Sequence, residues 1–330
     1  MRYMFELSGE HPDLPAWEAE AVLSCYGDAK LTERERGVVI ISSDAKPENF
    51  VRRIALSHFL SEHLASVDID QLESIFPELD IHERDTVAVR VKLRDDKRES
   101  IDASVMMRRL GAIISKRAHV KLENPDVTIR VYIGDKAHIG MQLAKIDRSQ
   151  FEKRKNRLLP FTSPVSIHPR LARALVNLTV NRPDAEILDP FCGTGSILIE
   201  SAMMGFRSFG SDISKEMIEG AEKNLRYLGL NAELRVLDVE DISQFGRKFD
   251  CIVTDPPYGR SSSTRKEPLN ELYSRAINSF VDNLKEGGRI GMILPNDEKL
   301  DFKDELVLIR STSVRVHRSL TRNFLIFQKK

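Results

Sequence analysis

The sequence predicts small α+β modules in its first half and an α/β domain on a parallel sheet in its second. Three observations predict this. The chain has 330 residues, more than one ordinary core accommodates, so two or more domains are the natural reading. From Pro183 onward, short apolar runs alternate with helical segments, the βαβ pattern of a parallel sheet covered on both faces. Before that point, runs such as TVAVRVKL alternate with period two and place Val87, Val89, Val91 and Leu93 on one face of a strand.

The elements follow in order. YMFELSG reads as a strand, PAWEAEAVLSCYG as an amphipathic helix ending at Gly27, and GVVIIS as another strand. PENFVRRIALSHFL, opened by Pro47, predicts a helix. After a loop around Pro77, TVAVRVKL is a strand, SVMMRRLGAIISKR a helix and VTIRVYIG a strand, followed by KAHIGMQLAKI. In the second half AEILDPF, RSFGSDI and AELRVLDV are strands separated by the helices SILIESAMMG and KEMIEGAEKNLRYLG, and FDCIVTDPP is a further strand. NELYSRAINSFVDNL is a helix, KEGG a turn and RIGMILP a strand, while LVLIRS and TRNFLIFQ predict a closing antiparallel pair.

Composition narrows the function classes. With 41% apolar and 30% charged residues the chain belongs with folded globular proteins rather than disordered ones. Lys+Arg and Asp+Glu both number 50, so a nucleic-acid partner must be met by a local basic surface. Cys25, Cys192 and Cys251 form no Cys-x-x-Cys pair, which excludes a disulfide framework or thiolate zinc site and suits a reducing cytoplasm. The eight histidines lack ligand spacing, so no metal is expected. No apolar run approaches the roughly 20 residues of a membrane span. MRYMFELSGEHPDLPAW is too interrupted for a signal peptide, and a cytoplasmic soluble protein is expected.

Between the halves lies DRSQFEKRKNRLLPFTSPVS, where Lys153, Arg154, Lys155 and Arg157 crowd and Pro160 and Pro164 break regular structure. Two readings stand side by side: a solvated charge run, or a phosphate-facing strip.

The unusual residues of the second half fall at carboxyl ends of predicted strands, where ligands of such sheets bind. The first strand ends in Asp189-Pro190-Phe191-Cys192-Gly193-Thr194-Gly195-Ser196, whose glycines let the backbone turn sharply beside a ligand. The second ends in Asp212, suited to a ribose hydroxyl, and the third in Asp238, suited to an adenine amine or to capping a turn. A dinucleotide and S-adenosylmethionine are both compatible to this point. Leu198 stands where the dinucleotide fingerprint wants its third glycine, which counts against NAD. Cys192 has no basic neighbour in sequence and reads as a packed thiol, and His168 ahead of a helix reads as structural.

The fourth strand runs into Asp255-Pro256-Pro257-Tyr258-Gly259. The amine of a nucleobase is a poor nucleophile because its lone pair is delocalised into the ring. A carboxylate and a carbonyl accepting its hydrogens would orient that lone pair toward a sulfonium methyl and absorb the developing charge. Asp255 supplies the carboxylate, Pro256 a carbonyl with no competing N–H, and Tyr258 a ring for an extruded base.

Together these motifs resemble those of class I S-adenosylmethionine-dependent methyltransferases that modify exocyclic amines. GAIISKRAHVKLENPDVTIRVYIGDKAHIGMQLAKIDRSQFEKR resembles the end of a THUMP domain running into its linker, and PFTSPVSIHPRLARALVNLTV the approach to the catalytic domain of THUMP-linked methyltransferases. DPPYGRSSS is similar to the archaeal-type enzymes that methylate the N2 amine of guanine-10 in tRNA. The resemblance implies a ferredoxin-like module over residues 1–60, THUMP over 61–147, a basic linker over 148–165 and a Rossmann-like domain over 166–330. It implies that Ser166, His168, Pro169, Asp189, Phe191, Gly193, Thr194, Gly195, Asp212, Ile213, Asp238 and Val239 line the S-adenosylmethionine pocket. Asp255, Pro256 and Tyr258 would carry the chemistry. Lys116, Arg117, Lys121, Lys153, Arg154 and Lys155 would face tRNA, with the acceptor stem held by the THUMP half.

Rival readings are methylation of tRNA guanine-6 or of ribosomal RNA, a DNA adenine methyltransferase, a non-catalytic RNA-binding protein on the same scaffold, and an NAD-dependent oxidoreductase. The DNA reading leaves the THUMP-like half unused, and the non-catalytic one leaves Asp255 without a purpose.

Overall fold

The structure is a computed structural model that describes residues 1–163, 166–258, 268–295, 304–317 and 320–330. Pro164 of the connector and the Gly259–Ser263 stretch that follows DPPY lie outside these residues. The chain divides into two compact units, Met1–Asp147 and Arg148–Lys330.

The first unit contains β1 (Arg2–Leu7), α1 (Leu14–Ser24), β2 (Ala29–Glu35), β3 (Val38–Ser43), α2 (Pro47–Phe50), β4 (Ser57–Val67), α3 (Leu72–Ile75), β5 (Thr86–Leu93), α4 (Ala103–Ile114), β6 (His119–Val120), β7 (Val127–Ile133) and β8 (Ala137–Lys145). The strands form one sheet in the order β2-β3-β1-β4-β8-β7-β5-β6, parallel where β5 meets β6 and β7 and antiparallel elsewhere. Two apolar cores sit along it. One gathers Tyr3, Phe5, Phe50 and Leu60 under α1, and the other packs Leu110 and Ile114 of α4 against Val87, Val89, Ile129 and Val131.

Two sequence expectations change here. The helix expected over residues 47–60 stops early: α2 ends at Phe50, a short 3-10 turn covers Val51–Arg53, and Ser57 begins β4. Pairing on both edges, Phe5 with Leu60 and Leu60 with Ala144, outweighs the local helical pattern. The boundary expected at 60–61 therefore falls inside a strand. Leu60 belongs to the first core while Leu64 and Val67, on the same strand, pack against the second.

The second unit contains α5 (Ser149–Glu152), α6 (Pro169–Thr179), β9 (Glu186–Asp189), α7 (Ser196–Met203), β10 (Arg207–Asp212), α8 (Lys215–Tyr227), β11 (Glu233–Val236), β12 (Phe249–Thr254), α9 (Leu269–Asn283), β13 (Leu284–Pro295), β14 (Leu306–His317) and β15 (Leu320–Lys329). Strand order is β11-β10-β9-β12-β13-β15-β14, with β9 to β13 parallel and β15 antiparallel to both neighbours. The predicted closing pair is thus formed. KEGG, expected as a turn, lies within β13, whose register against β12 jumps between Leu284 and Arg289, with Gly287 at φ +70°.

The order reverses between β9 and β12, so a crevice opens at their carboxyl ends, where Asp189, Asp212 and the residue after Thr254 come together. Beneath it Phe209, Phe245 and Phe249 pack edge to face, with centroids 5.2 to 5.8 Å apart. This stack anchors β10 and β12, the strands that present two of the acids.

Candidate active site

The turn after β9 is built on two glycines. Gly193 has φ +48°, and its N–H donates to Asp212 Oδ2 at 3.0 Å. Gly195 has φ +85° and caps α7, where a Cβ would press on Ala221 at 3.3 Å. Both φ values lie in the left-handed region that a side chain disfavours. Asp212 Oδ1 accepts from Ser214 N at 2.9 Å. Burial nevertheless pushes the Asp212 carboxyl above its ordinary range.

Asp189 is fully interior. Its Oδ1 accepts from Thr254 Oγ1 at 2.8 Å and from Phe191 N at 3.2 Å, which ties the ends of β9 and β12 together. Desolvation dominates those bonds and pushes its carboxyl up to about 8. Asp238 accepts from Glu240 N at 3.2 Å and pairs with Arg275 of α9 at 3.1 Å.

Asp189, Gly193, Asp212 and Asp238 line a cleft of about 710 Å³ with Ser166, Phe191, Thr194, Ile213, Val239, Asp255, Pro256 and Tyr258. Burial pushes the Asp255 carboxyl up to about 7, opposed by Arg322. Its Oδ1 has no hydrogen-bond partner among the described residues, and its Oδ2 lies 3.6 Å from Arg322 Nη2. The Tyr273 hydroxyl on α9 donates to Pro257 O at 2.6 Å and fixes the proline turn.

Most expected pocket residues converge, with informative exceptions. His168 and Pro169 are not part of the cleft wall. His168 caps α6 by accepting from Arg170 N at 3.2 Å, its Nε2 lies 3.3 Å from the Glu152 carboxylate, and Pro169 is buried as the first residue of that helix. Gly195 shapes the turn from behind. Cys192 is buried and its thiol is pushed well up by desolvation, the opposite of an activated nucleophile.

The basic run requires a correction. Arg154 is an interior residue: its Nε and Nη2 donate to Glu200 at 2.5 and 3.0 Å, and its guanidinium lies over Phe151 at 4.4 Å. Lys155 pairs with Glu152, while Lys153 is exposed. Arg117 donates to the carbonyls of Pro77 and Leu79, so its fork braces a loop. Lys116 and Lys121 are exposed. Within the second unit, Asn224 of α8 ties the connector to the glycine turn: it accepts from Phe161 N at 2.9 Å and donates to Phe161 O at 2.9 Å and Thr194 O at 3.0 Å. Ser166 Oγ lies 3.3 Å from Thr194 Oγ1.

Sequence reasoning missed Asn224, Tyr273 and Arg322. Asn224 and Tyr273 sit on the inward faces of helices and carried no motif. Arg322 lies on the last strand, 67 residues from Asp255, where no spacing links it to the site.

A parallel sheet with this switch point, a glycine turn and acids at successive strand ends defines a class I methyltransferase fold. The family described as "RMKL-like, methyltransferase domain" matches residues 154–323. One described as "DNA methylase" matches residues 40–223, a span that begins in the first unit and stops short of Asp255. The crystal structure of TrmN from Thermus thermophilus is similar along 100% of both chains, with a TM-score of 0.57 at 22% identity, which bears on the fold. A tRNA (guanine(10)-N2)-dimethyltransferase of Methanothermobacter thermautotrophicus is 38% identical over 100% of both chains. That of Pyrococcus abyssi is 33% identical over 99% of both. The chain belongs to the family of tRNA (guanine(10)-N2)-dimethyltransferases.

Proposed function

We infer that this protein transfers methyl groups from S-adenosylmethionine to the N2 amine of guanine-10 in tRNA, through the dimethylated product. The observation that carries the chemistry is Asp255: a carboxylate just past β12 with 13 % of its side chain exposed, its Oδ1 shielded from solvent and without a partner among the described residues, on the wall of a cofactor-sized cleft.

The cleft fits the cofactor. At Gly193 a Cβ would project into open space, so the backbone is bare where a ligand approaches. Asp212 and Asp238 present carboxylates at adjoining strand ends, suited to ribose hydroxyls and an adenine amine. Ser166, Asp189, Phe191, Thr194, Ile213 and Val239 complete the wall. S-adenosylmethionine supplies an electrophilic methyl on a sulfonium.

The remaining chemistry belongs to the protein. Asp255 Oδ1 and the Pro256 carbonyl accept the two amine hydrogens and aim the nitrogen lone pair, while Tyr258 stacks on the guanine ring. The nitrogen so aimed would take the methyl that S-adenosylmethionine supplies, the carbon–sulfur electron pair leaving with the sulfur. The nitrogen then sheds one proton to Asp255. The monomethyl amine keeps one hydrogen for the same carboxylate in a second round.

The first unit is read as the tRNA grip that holds the acceptor stem, and the protein as cytoplasmic. No helix among the described residues is long and apolar enough to cross a membrane. Supporting the grip, a groove of about 1170 Å³ in that unit is lined by Phe59, Arg90, Lys92, Arg98 and Lys145. Lysine and arginine there suit phosphates.

The test is direct. Incubating the protein with labelled S-adenosylmethionine and unmodified tRNA transcripts, followed by nuclease mapping, should place label on N2 of guanine-10. Absence of transfer refutes the activity, and label at guanine-6 or in ribosomal RNA refutes the assigned position.

A further inference from the structure

Arg322 has been given no task. It is the third residue of β15 and pairs in register with Pro295, the last residue of β13. β15 is antiparallel, so its beginning lies at the edge where the parallel strands end. There the guanidinium is interior, 5 % of the side chain being exposed. Its Nη2 lies 3.6 Å from Asp255 Oδ2 and its Cζ 5.4 Å from the centroid of the Tyr258 ring.

We propose that Arg322 is the positioning residue of the methyl-accepting site, holding Asp255 as a carboxylate with one oxygen free for the guanine amine while bracing Tyr258. This rests on the assignment of Asp255 as the acceptor of that amine.

The geometry divides the labour of the carboxylate. Oδ2 faces Arg322, and Oδ1 has no partner among the described residues, the arrangement an acceptor needs before its donor arrives. At 3.6 Å the contact is an ion pair rather than a hydrogen bond, so Asp255 is attracted without both oxygens being consumed. Arg322 Nε and the Tyr258 hydroxyl are also unpartnered among the described residues, which leaves polar capacity at this corner for a base edge.

The groups around Asp255 come from four elements. Asp189 of β9 repels it, Arg322 of β15 attracts it, Tyr258 follows it in its own turn, and the Tyr273 hydroxyl of α9 is spent on Pro257 O. Arg322 is the cation paired with it among the described residues. A buried carboxylate without that charge would hold a proton and stop accepting one from the amine. The ring contact is a cation–π geometry, and it fixes the face on which the base stacks.

The test compares Arg322→Met and Arg322→Gln with wild type in single-turnover methyl transfer to an unmodified tRNA transcript from pH 5.5 to 9.5. S-adenosylmethionine affinity is measured calorimetrically on the same preparations. Both variants should bind S-adenosylmethionine within about twofold of wild type, since Arg322 is not part of the cofactor wall. Transfer at pH 7 should fall about fivefold or more, and the midpoint of the acid limb should rise by about one unit or more, with much of the rate recovered near pH 9. A merely structural arginine would lower the rate by one factor at every pH and leave the midpoint in place, and that result overturns the proposal. If the Met variant does not fold, the Gln variant decides by the same midpoint. Wild type is measured alongside, so a protein that methylates no tRNA guanine refutes the function, whereas an unmoved midpoint in the variants refutes only the role of Arg322.

Discussion

Arg154→Ala separates two accounts of the basic connector. As a phosphate contact, Arg154 would contribute to tRNA affinity and nothing to folding. In the structure it shares Glu200 with Arg173, whose Nε donates to Glu200 Oε2 at 2.7 Å, and both guanidiniums lie over Phe151, at 4.4 and 5.1 Å. All three charged side chains are buried. Truncating Arg154 removes two charge-assisted bonds to Glu200, the bonds from Nη1 to Gln150 and one cation–π contact, leaving Glu200 with Arg173. Breaking a buried pair from one side costs about 3–5 kcal/mol. Arg173 remains, which places the expected cost near the lower end, about 3 kcal/mol. For a unit of this size that is a melting temperature lower by roughly 6–12 °C. Calorimetry gives the melting temperature, and filter binding of tRNA across a salt series gives the electrostatic slope. Lys153→Ala, altering an exposed neighbour, should leave the melting temperature unchanged. An Arg154→Ala protein that melts like wild type but binds tRNA with a shallower salt slope would refute the interior assignment.

Other outcomes follow from the same structure. Asp255→Asn keeps the shape but cannot take the amine proton; transfer should fall by two or more orders of magnitude with S-adenosylmethionine affinity retained, and near-normal turnover would remove Asp255 from the mechanism. The wild-type rate should rise with pH through a midpoint near 7, since burial raises the Asp255 carboxyl to about that value and the ionised form is the acceptor; a flat profile from pH 5.5 to 8.5 would contradict this. Asp189 is raised from 3.8 to about 8, so the folded state binds a proton the unfolded chain has released. Its contribution to stability is complete below pH 4 and lost as pH rises through 8. Asp189→Asn should therefore flatten the fall of melting temperature across that window, and an unchanged slope would show that Asp189 does not titrate there. Replacing Lys92, Arg98 and Lys145 together should weaken tRNA binding and reduce its salt dependence by up to about three charges, and an unaltered slope would remove the groove from the RNA path.

The second unit was largely legible because its signals are local. Apolar runs of strand length, glycines before a helix and acids at strand ends each need only a few neighbouring residues, and the observed crevice collects them at one edge. The first unit was less so. β4 lies in a segment whose helical pattern is overruled by pairing with β1 and β8, and charge-rich β2 (AKLTERE) gains its strand state from β3. Burial of charge is the other blind spot. Lys153, Arg154 and Lys155 are adjacent and chemically alike in sequence, yet one is exposed, one is interior and one pairs with Glu152. What separates them is Glu200 on α7, 46 residues away. Sequence spacing cannot distinguish a fork aimed at phosphate from one aimed at a buried carboxylate.

The same limit explains Arg322, and topology supplies the reason. Parallel strands deliver their carboxyl ends to the crevice, so motifs there announce themselves as strand-then-turn, as Asp189, Asp212 and Asp255 do. An antiparallel strand delivers its amino end instead. β15 enters the sheet at the crevice edge with Leu320 and leaves at the far side with Lys329, so whatever it contributes to the site lies in its first residues and precedes its apolar run. A reader who looks for function after strands will pass over TRNFLIFQ, where the functional position comes before the strand's core. In a sheet of this order the closing hairpin is therefore more than an edge cover: among the described residues its strand β15 brings a side chain to the crevice from the opposite chain direction. Arg322 occupies that place, and pairing with Asp255 follows from it.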